Sequence, residues 1–600
     1  MIEVDVDPET RYAVGLDIGD GESCLFWLDT TDPAAEAQLY ERSRPVERTV
    51  LTALARRRET GEWIFGEAAL LAGDAFQFVV NLKKAPVESF STPDAVQFAQ
   101  AFLDEFFSAH PEVKTSCQIM IGYPTGWPQP ARDIYQRFLR TSDIPLAVLP
   151  ESQSALVHVW DLRRRQPAGA RQDIDNVLVI DIGSSTVDVT MVSALNPVNI
   201  PVGADLGCRD IDDELARRVT GALAGDPAFD RAMTSQDSPM LLRFVCRRAK
   251  EAQFGGHGML VHDRPEALNP RLGAIMDHAT AWLRAQDIPH LVERGWAGRL
   301  RDLLLDVRDK LEHQPEVVVL TGGGSRMPVT RRICAQLFPD ASHELDDEPS
   351  FSVGRGLASA GRHRIQAMRF RRDATGVAAR PEVAQALRDA TVEAFATVRD
   401  QTVALLRETD PQQWGDLIES PPPGLPDAAR GIEEAVDASV RPLVHQICDA
   451  YEIPHGHRDL DTRLAPDRLF ISEFTQRVTE IPRASLPDVS DTDLSHATVQ
   501  IGRFAMQGFA GAQGVLARLR GGIKAGGQAA LIAGAMYLVF AGGSWAVQTV
   551  AGQRRRRQVL NAVATMELPG EAITTLEHEL AAEIARVVGE RVAPLERMVR

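Results

Sequence analysis

The feature that most constrains this chain is the stretch Asn176–Val192, NVLVIDIGSSTVDVTMV. An unbroken apolar run, Val177–Ile180, ends in Asp181-Ile182-Gly183-Ser184-Ser185-Thr186, and alternation resumes at Val187, Val189 and Met191. That pattern predicts a buried strand, a tight turn and a return strand. Gly183 lets the backbone approach an anion closely, the N–H groups of Ser184, Ser185 and Thr186 can line one concavity, and Asp181 and Asp188 bracket it. Carboxylates repel phosphate unless a cation stands between them, so Asp181 implies a hydrated Mg²⁺. Taken alone, the segment also reads as an ordinary polar hairpin.

A second copy lies near the N-terminus. Tyr12–Leu28 reads YAVGLDIGDGESCLFWL, with the same strand, the same Asp-x-Gly (Asp17-Ile18-Gly19) and the same return strand. Two such hairpins far apart in one chain predict a duplicated domain whose halves close on one nucleotide. A third segment, Val317–Leu320, is an apolar strand running into Thr321-Gly322-Gly323-Gly324-Ser325-Arg326 and a helix over Val329–Leu337. Its glycines would let a base and ribose lie against bare backbone, and Arg326 could stack on the base.

At these residues the chain resembles the actin-like ATPase superfamily, most closely the nucleotide-binding domain of DnaK-type 70-kDa heat-shock chaperones, over residues 10–365. Leu206-Gly207-Cys208-Arg209-Asp210-Ile211-Asp212 looks like the family's loop after the second hairpin, and Arg248-Ala249-Lys250-Glu251 like its adenosine-contacting helix. The resemblance implies an α/β fold: a two-lobed actin-like domain of duplicated ribonuclease-H-like halves that binds ATP and Mg²⁺. It implies that Asp17 and Asp181 hold the metal through water, and that Glu151, at the start of the family's connecting helix, orients the attacking water with Asp181. Lys83, in Asn81-Leu82-Lys83-Lys84, matches the lysine that reaches the γ-phosphate, where charge spreads in the transition state. Thr186 and the two turns (Gly19, Asp20, Gly21, Gly183, Ser184, Ser185, Asp188), with Gly207, would hold phosphate. Lys250, Glu251, Gly322, Gly323, Gly324, Ser325 and Arg326 would hold adenosine. Without the flanking motifs the two lysines read as a solvated turn, and a first-turn glutamate as the helix dipole's choice.

Two departures from the family pattern matter. Asp20-Gly21 stands where the chaperones place two hydroxyl residues, and an extra carboxylate there weakens phosphate binding unless it turns outward or meets the metal. Ser184-Ser185 replaces a glycine pair, keeping the N–H groups. Binding of ATP and Mg²⁺ is therefore expected, with hydrolysis slow or absent until a partner closes the cleft.

Six hundred residues exceed one core, and the net charge of −18 argues against nucleic acid as a partner. The cysteines at 24, 117, 208, 246, 334 and 448 form no Cys-x-x-Cys pair, so buried reduced thiols are expected. The acidic N-terminus lacks an apolar signal core, which points to the cytoplasm.

The expected domains are 1–370 for the nucleotide-binding fold, 371–495 for a helical region broken by prolines near 421–426, and 496–600 for a Gly/Ala-rich stretch and a final helix. Pro381–Glu408, Ile432–Tyr451 and Glu571–Val599 carry helical periodicity, unlike the strand-rich peptide-binding domain of the chaperones. The final helix suits a helical partner or folding back on Pro381–Glu408. His455-Gly456-His457 reads as a turn. Residues 525–553 carry no charge and end at Arg554–Arg557. A single span conflicts with the positive-inside rule, and a hairpin of two crossings is too short. A shallow insertion placing 518–557 on an anionic membrane surface and a buried Gly/Ala helix both remain. The functions in view are thus an ATPase whose nucleotide state controls an appended, membrane-associating region, an ATP-dependent chaperone with an unidentified protein client, and a small-molecule kinase of the same superfamily.

Overall fold

A computed structural model describes residues 6–32, 34–42, 48–73, 75–87, 92–140, 144–164, 176–193, 196–200, 206–254, 269–410, 425–453 and 570–598, with single residues and pairs between 557 and 567. The Pro-rich break, His455–His457 and the uncharged segment 525–553 lie outside the described residues. The chain forms two compact units, Met1–Gln366 and Ala367–Arg600, the division falling within the helix Ser352–Gly376.

In the first unit the apolar runs of the two hairpins become the centres of two sheets. Strands β1 (Tyr12–Ile18), β2 (Glu22–Asp29), β3 (Gln38–Leu39) and β4 (Val50–Leu51) precede β5 (Leu54–Arg57), β6 (Trp63–Phe65) and β7 (Phe76–Val79). They are followed by β8 (Cys117–Tyr123), β9 (Leu146–Pro150), β10 (Asn176–Ile182), β11 (Val187–Ser193), β12 (Asn196–Asn199), β13 (Val317–Thr321) and β14 (Ser342–Leu345). One sheet runs β3-β2-β1-β8-β9 and the other β12-β11-β10-β13-β14. In each, the hairpin is antiparallel and the next two strands join in parallel. The registers correspond as well: Asp17 faces Cys24 as Asp181 faces Asp188, each aspartate one residue before its strand ends. The polar, arginine-bearing stretch Thr31–Glu62 contains β3, β4 and β5, and β5 centres a separate sheet, β6-β5-β7.

Strands with both faces covered read as continuous apolar runs, and β8, β10 and β13 are buried in this way. Between the two main sheets lie the helices Glu151–Arg164 and Ser352–Gly376, in a core built from Met120, Ala155, Val179, Val319, Val353 and Leu357. These helices cross so closely that a Cβ on Gly356 would stand 1.7 Å from the carbonyl oxygen of Ser154; only glycine fits there. Asp161, Arg362 and His363 tie the same two helices together away from the crossing, with Arg362 Nη2 2.9 Å and His363 Nε2 3.2 Å from the carboxylate. A larger core gathers the helices between Arg209 and Lys310, Leu283, Leu300, Leu304 and Val307 among their buried residues, and takes in Phe78, Leu70 and Ala55 from around the three-stranded sheet.

In the second unit, described residues are helical. Pro381–Glu408, Leu425–Ala450 and Gly570–Val592 bury Val383, Leu387, Leu406, Val440, Val444, Ile584 and Val588 in one core. The last helix does fold back on Pro381–Glu408, where Glu577 meets Arg388 at 3.4 Å. The middle helix begins earlier than its apolar periodicity, and Pro442 is accommodated inside it. Among the described residues no helix is long and apolar enough to cross a membrane.

Candidate functional site

The β1-β2 turn carries Gly19, Asp20 and Gly21, and the β10-β11 turn carries Gly183, Ser184, Ser185 and Thr186. The second turn is closed by the Gly183 N–H donating to the Thr186 carbonyl, 2.9 Å. It is then clamped from behind: Cys208 and Arg209 N–H groups donate to the carbonyls of Gly183 (3.1 Å) and Ser184 (2.7 Å). Trp296 Nε1 holds this loop by donating to the Gly207 carbonyl, 3.0 Å, inside the core.

Between the turns, the structure brings together most of the residues singled out for chemistry. Lys83 forms a buried ion pair with Glu151, and its field reaches Asp17, Asp181 and Asp188 as well. Burial opposes the ammonium, yet Glu151, Asp17 and Asp181 more than reverse this, so the Lys83 pKa is raised. The carboxyls respond oppositely. Burial, helped by Asp17, Asp188 and Asp181, pushes Glu151 up to about 8 against the pull of Lys83. Burial with Asp188 and Asp17 pushes Asp181 up to about 7. Burial also raises Asp17 and Asp188, the latter in spite of Thr186 Oγ1 donating to it at 2.8 Å. Ser152, next to Glu151, joins the turn after β8 to β11 through Thr125 Oγ1 (2.7 Å) and Thr190 Oγ1 (2.6 Å).

Four carboxylates, Glu151, Asp181 and Asp188 buried and Asp17 partly so, thus share one ammonium that reaches them all. Burying like charges together is costly unless a cation or proton offsets them, and an all-oxygen set suits a hard ion such as Mg²⁺. Among the described residues no group of three or more His, Cys, Asp or Glu side chains is disposed to hold a metal ion.

The third segment stands beside the second turn. Gly322 has φ 77°, and a Cβ there would lie 2.4 Å from Asp181 Oδ1, so glycine is required on both counts. Gly323–Arg326 form a 3-10 turn, with Ser325 Oγ donating to the Gly322 carbonyl at 2.7 Å. Gly324 packs on Ile182 and Cys208, while Arg326 is half-buried.

Two assigned residues are otherwise employed. Lys250 is buried, its ammonium 2.7 Å from Asp212 and donating to the Cys208 carbonyl at 3.0 Å; it fastens the loop behind the second turn. Glu251 is held by Arg247 (2.6 Å) and Arg248 (3.0 Å) on its own helix. Asp20 neither turns outward nor stands free to meet a metal: its side chain is buried, Oδ1 accepting the Lys83 backbone N–H (3.4 Å) and Oδ2 facing Arg209 (3.3 Å). Arg209, Arg247, Glu22 and Trp296 were not singled out from sequence. The signal for the arginines was their place beside motifs already recognised, one after Gly207-Cys208 and the other three residues before Lys250. No family model matches the chain, and no curated protein matches it significantly.

Proposed function

We propose that the first unit is an actin-like, DnaK-resembling domain that binds Mg²⁺ and ATP and hydrolyses the nucleotide slowly. One observation carries this reading: β1 and β10, at equivalent positions of two sheets with the same order of five strands, each supply an aspartate next to their last residue to one cluster with Lys83 and Glu151. Asp17 and Asp181 would hold the metal through its waters, and the metal would supply charge neutralisation at the terminal phosphates. Lys83 exchanges part of its contact with Glu151 for the γ-phosphoryl group. Glu151, freed of that counter-charge and raised in pKa by its neighbours, accepts a hydrogen bond from the attacking water together with Asp181. The backbone and hydroxyls of Ser184–Thr186 receive phosphate oxygens, and Gly322–Arg326 receive the nucleoside.

Closure and opening of the halves, set by the nucleotide, act on the helical second unit, whose partner is a polypeptide client, a helical protein or an anionic membrane surface reached through 518–557. Calorimetric titration with Mg-ATP, and phosphate release by wild type and Lys83→Ala, test the first part. Magnesium-dependent binding by the wild type is expected, with turnover strongly lowered in the variant; absence of magnesium-dependent adenine nucleotide binding overturns the reading. Stimulation by unfolded peptide identifies a chaperone, and co-sedimentation with anionic liposomes identifies a membrane-associated ATPase.

A further inference from the structure

The first turn departs from the resembling family at Asp20-Gly21, and the structure pairs that departure with arginines from the other half of the unit. Asp20 Oδ2 lies 3.3 Å from Arg209 Nη1, and Arg209 is itself anchored by its N–H to Ser184 of the second turn. The Arg247 guanidinium lies flat against Gly21: a Cβ at that glycine would be 1.5 Å from Nη1 and 2.1 Å from Cζ. Glu22 Oε1 then receives Arg247 Nη2 at 3.1 Å and Arg248 Nη1 at 3.2 Å. Gly21 is therefore the residue that admits Arg247, and the two carboxylates beside it draw Arg209 and Arg247 to the first turn, Arg247 being shared with Glu251 of its own helix at 2.6 Å. Carboxylate and phosphate oxygens present guanidinium with the same planar, two-pronged acceptor geometry.

We infer that Arg209 and Arg247 are phosphate-binding side chains held in reserve by Asp20 and Glu22, which a polyphosphate entering between the turns displaces. The inference rests on the proposed nucleotide reading and supplies binding residues that the motifs did not. Asp20 and Glu22 act as internal competitors: they keep the arginines ordered and the cleft bridged, and they set the affinity below what the arginines alone would give. A bridge that only fastens the halves together predicts the opposite sign for loss of either arginine, because cutting it would ease entry.

The test is equilibrium binding of Mg-ATP and of Mg-tripolyphosphate to full-length wild type, R209Q, R247Q, D20N and E22Q, each checked by circular dichroism. Losing a charge-assisted contact weakens Mg-ATP about tenfold or more in R209Q and R247Q. E22Q, which keeps its side-chain volume and is partly exposed, is expected to tighten binding several-fold, with D20N changing in the same direction. Unchanged or tighter binding by both arginine variants overturns the inference and leaves the nucleotide reading standing. Arginine-dependent binding of tripolyphosphate without binding of ATP does the reverse. Binding of neither ligand by wild type overturns both.

Discussion

Asp181 illustrates how the site sets function against stability. Its carboxyl is buried beside Asp188 and Asp17, and those neighbours with burial lift its pKa to about 7. Replacing it with asparagine removes an ionised group that is costly above that pH. Asp181→Asn is therefore expected to stabilise the metal-free protein at pH 8 by about 1 kcal/mol or more while abolishing magnesium-dependent ATP binding; denaturant titration and calorimetry measure the two effects. Lys83→Ala is expected to lower turnover by about 10²–10³-fold, read as phosphate release at saturating Mg-ATP. Asp161 has the opposite sign. Burial alone would raise its pKa, but His363 foremost, with Ser359 and Arg362, holds it well below the ordinary carboxylate range. A depressed carboxyl contributes stability that is whole above about pH 4 and is lost as pH falls towards the folded-state value. Asp161→Asn should cost about 3–5 kcal/mol at pH 7 and flatten the acid limb of a stability profile.

At the scale of elements, the helix crossing and the clamp behind the second turn bear the most weight. Gly356→Ala places a methyl group against the Ser154 carbonyl and should destabilise the first unit by about 3 kcal/mol or more in thermal melts. Trp296→Phe leaves the Gly207 carbonyl without its indole donor; a loss of about 1–3 kcal/mol is expected, with nucleotide affinity weakened because the turn is no longer braced. The hairpins themselves were legible because local patterns specify them: apolar runs, an Asp-x-Gly turn and a return strand need no knowledge of the rest of the chain. Their observed limits, Asn176–Ile182 and Val187–Ser193, follow the predicted ones closely. The helix Pro381–Glu408 was legible for the same reason. What periodicity does not reveal is which polar residue on a helix turns inward. Lys250 and Arg247 lie three apart on one helix, yet Lys250 is buried on Asp212 whereas Arg247 reaches Gly21 and Glu22, a pairing more than two hundred residues distant in sequence. The strands of the Thr31–Glu62 stretch were obscured similarly, being two to four residues long and interrupted by arginines.

For the whole molecule, two separate cores mean that ligand effects can be assigned to a unit. Hydrogen exchange with and without Mg-ATP is expected to show slowed exchange in β1, β10 and the Gly322–Arg326 turn. If nucleotide state governs the second unit, protection also changes along Pro381–Glu408; an unaltered helix there confines the nucleotide's influence to the first unit.

All six cysteines are free thiols and buried, and burial raises the pKa of Cys24, Cys117, Cys208, Cys246 and Cys334. Such thiols react with alkylating reagents only when the surrounding fold breathes. The chain therefore carries its own clocks: Cys24 and Cys208 time the loosening of the two turns, and Cys448 times the helical unit. Mass spectrometry after pulsed alkylation would read both rates from one unmodified molecule, with no reporter introduced.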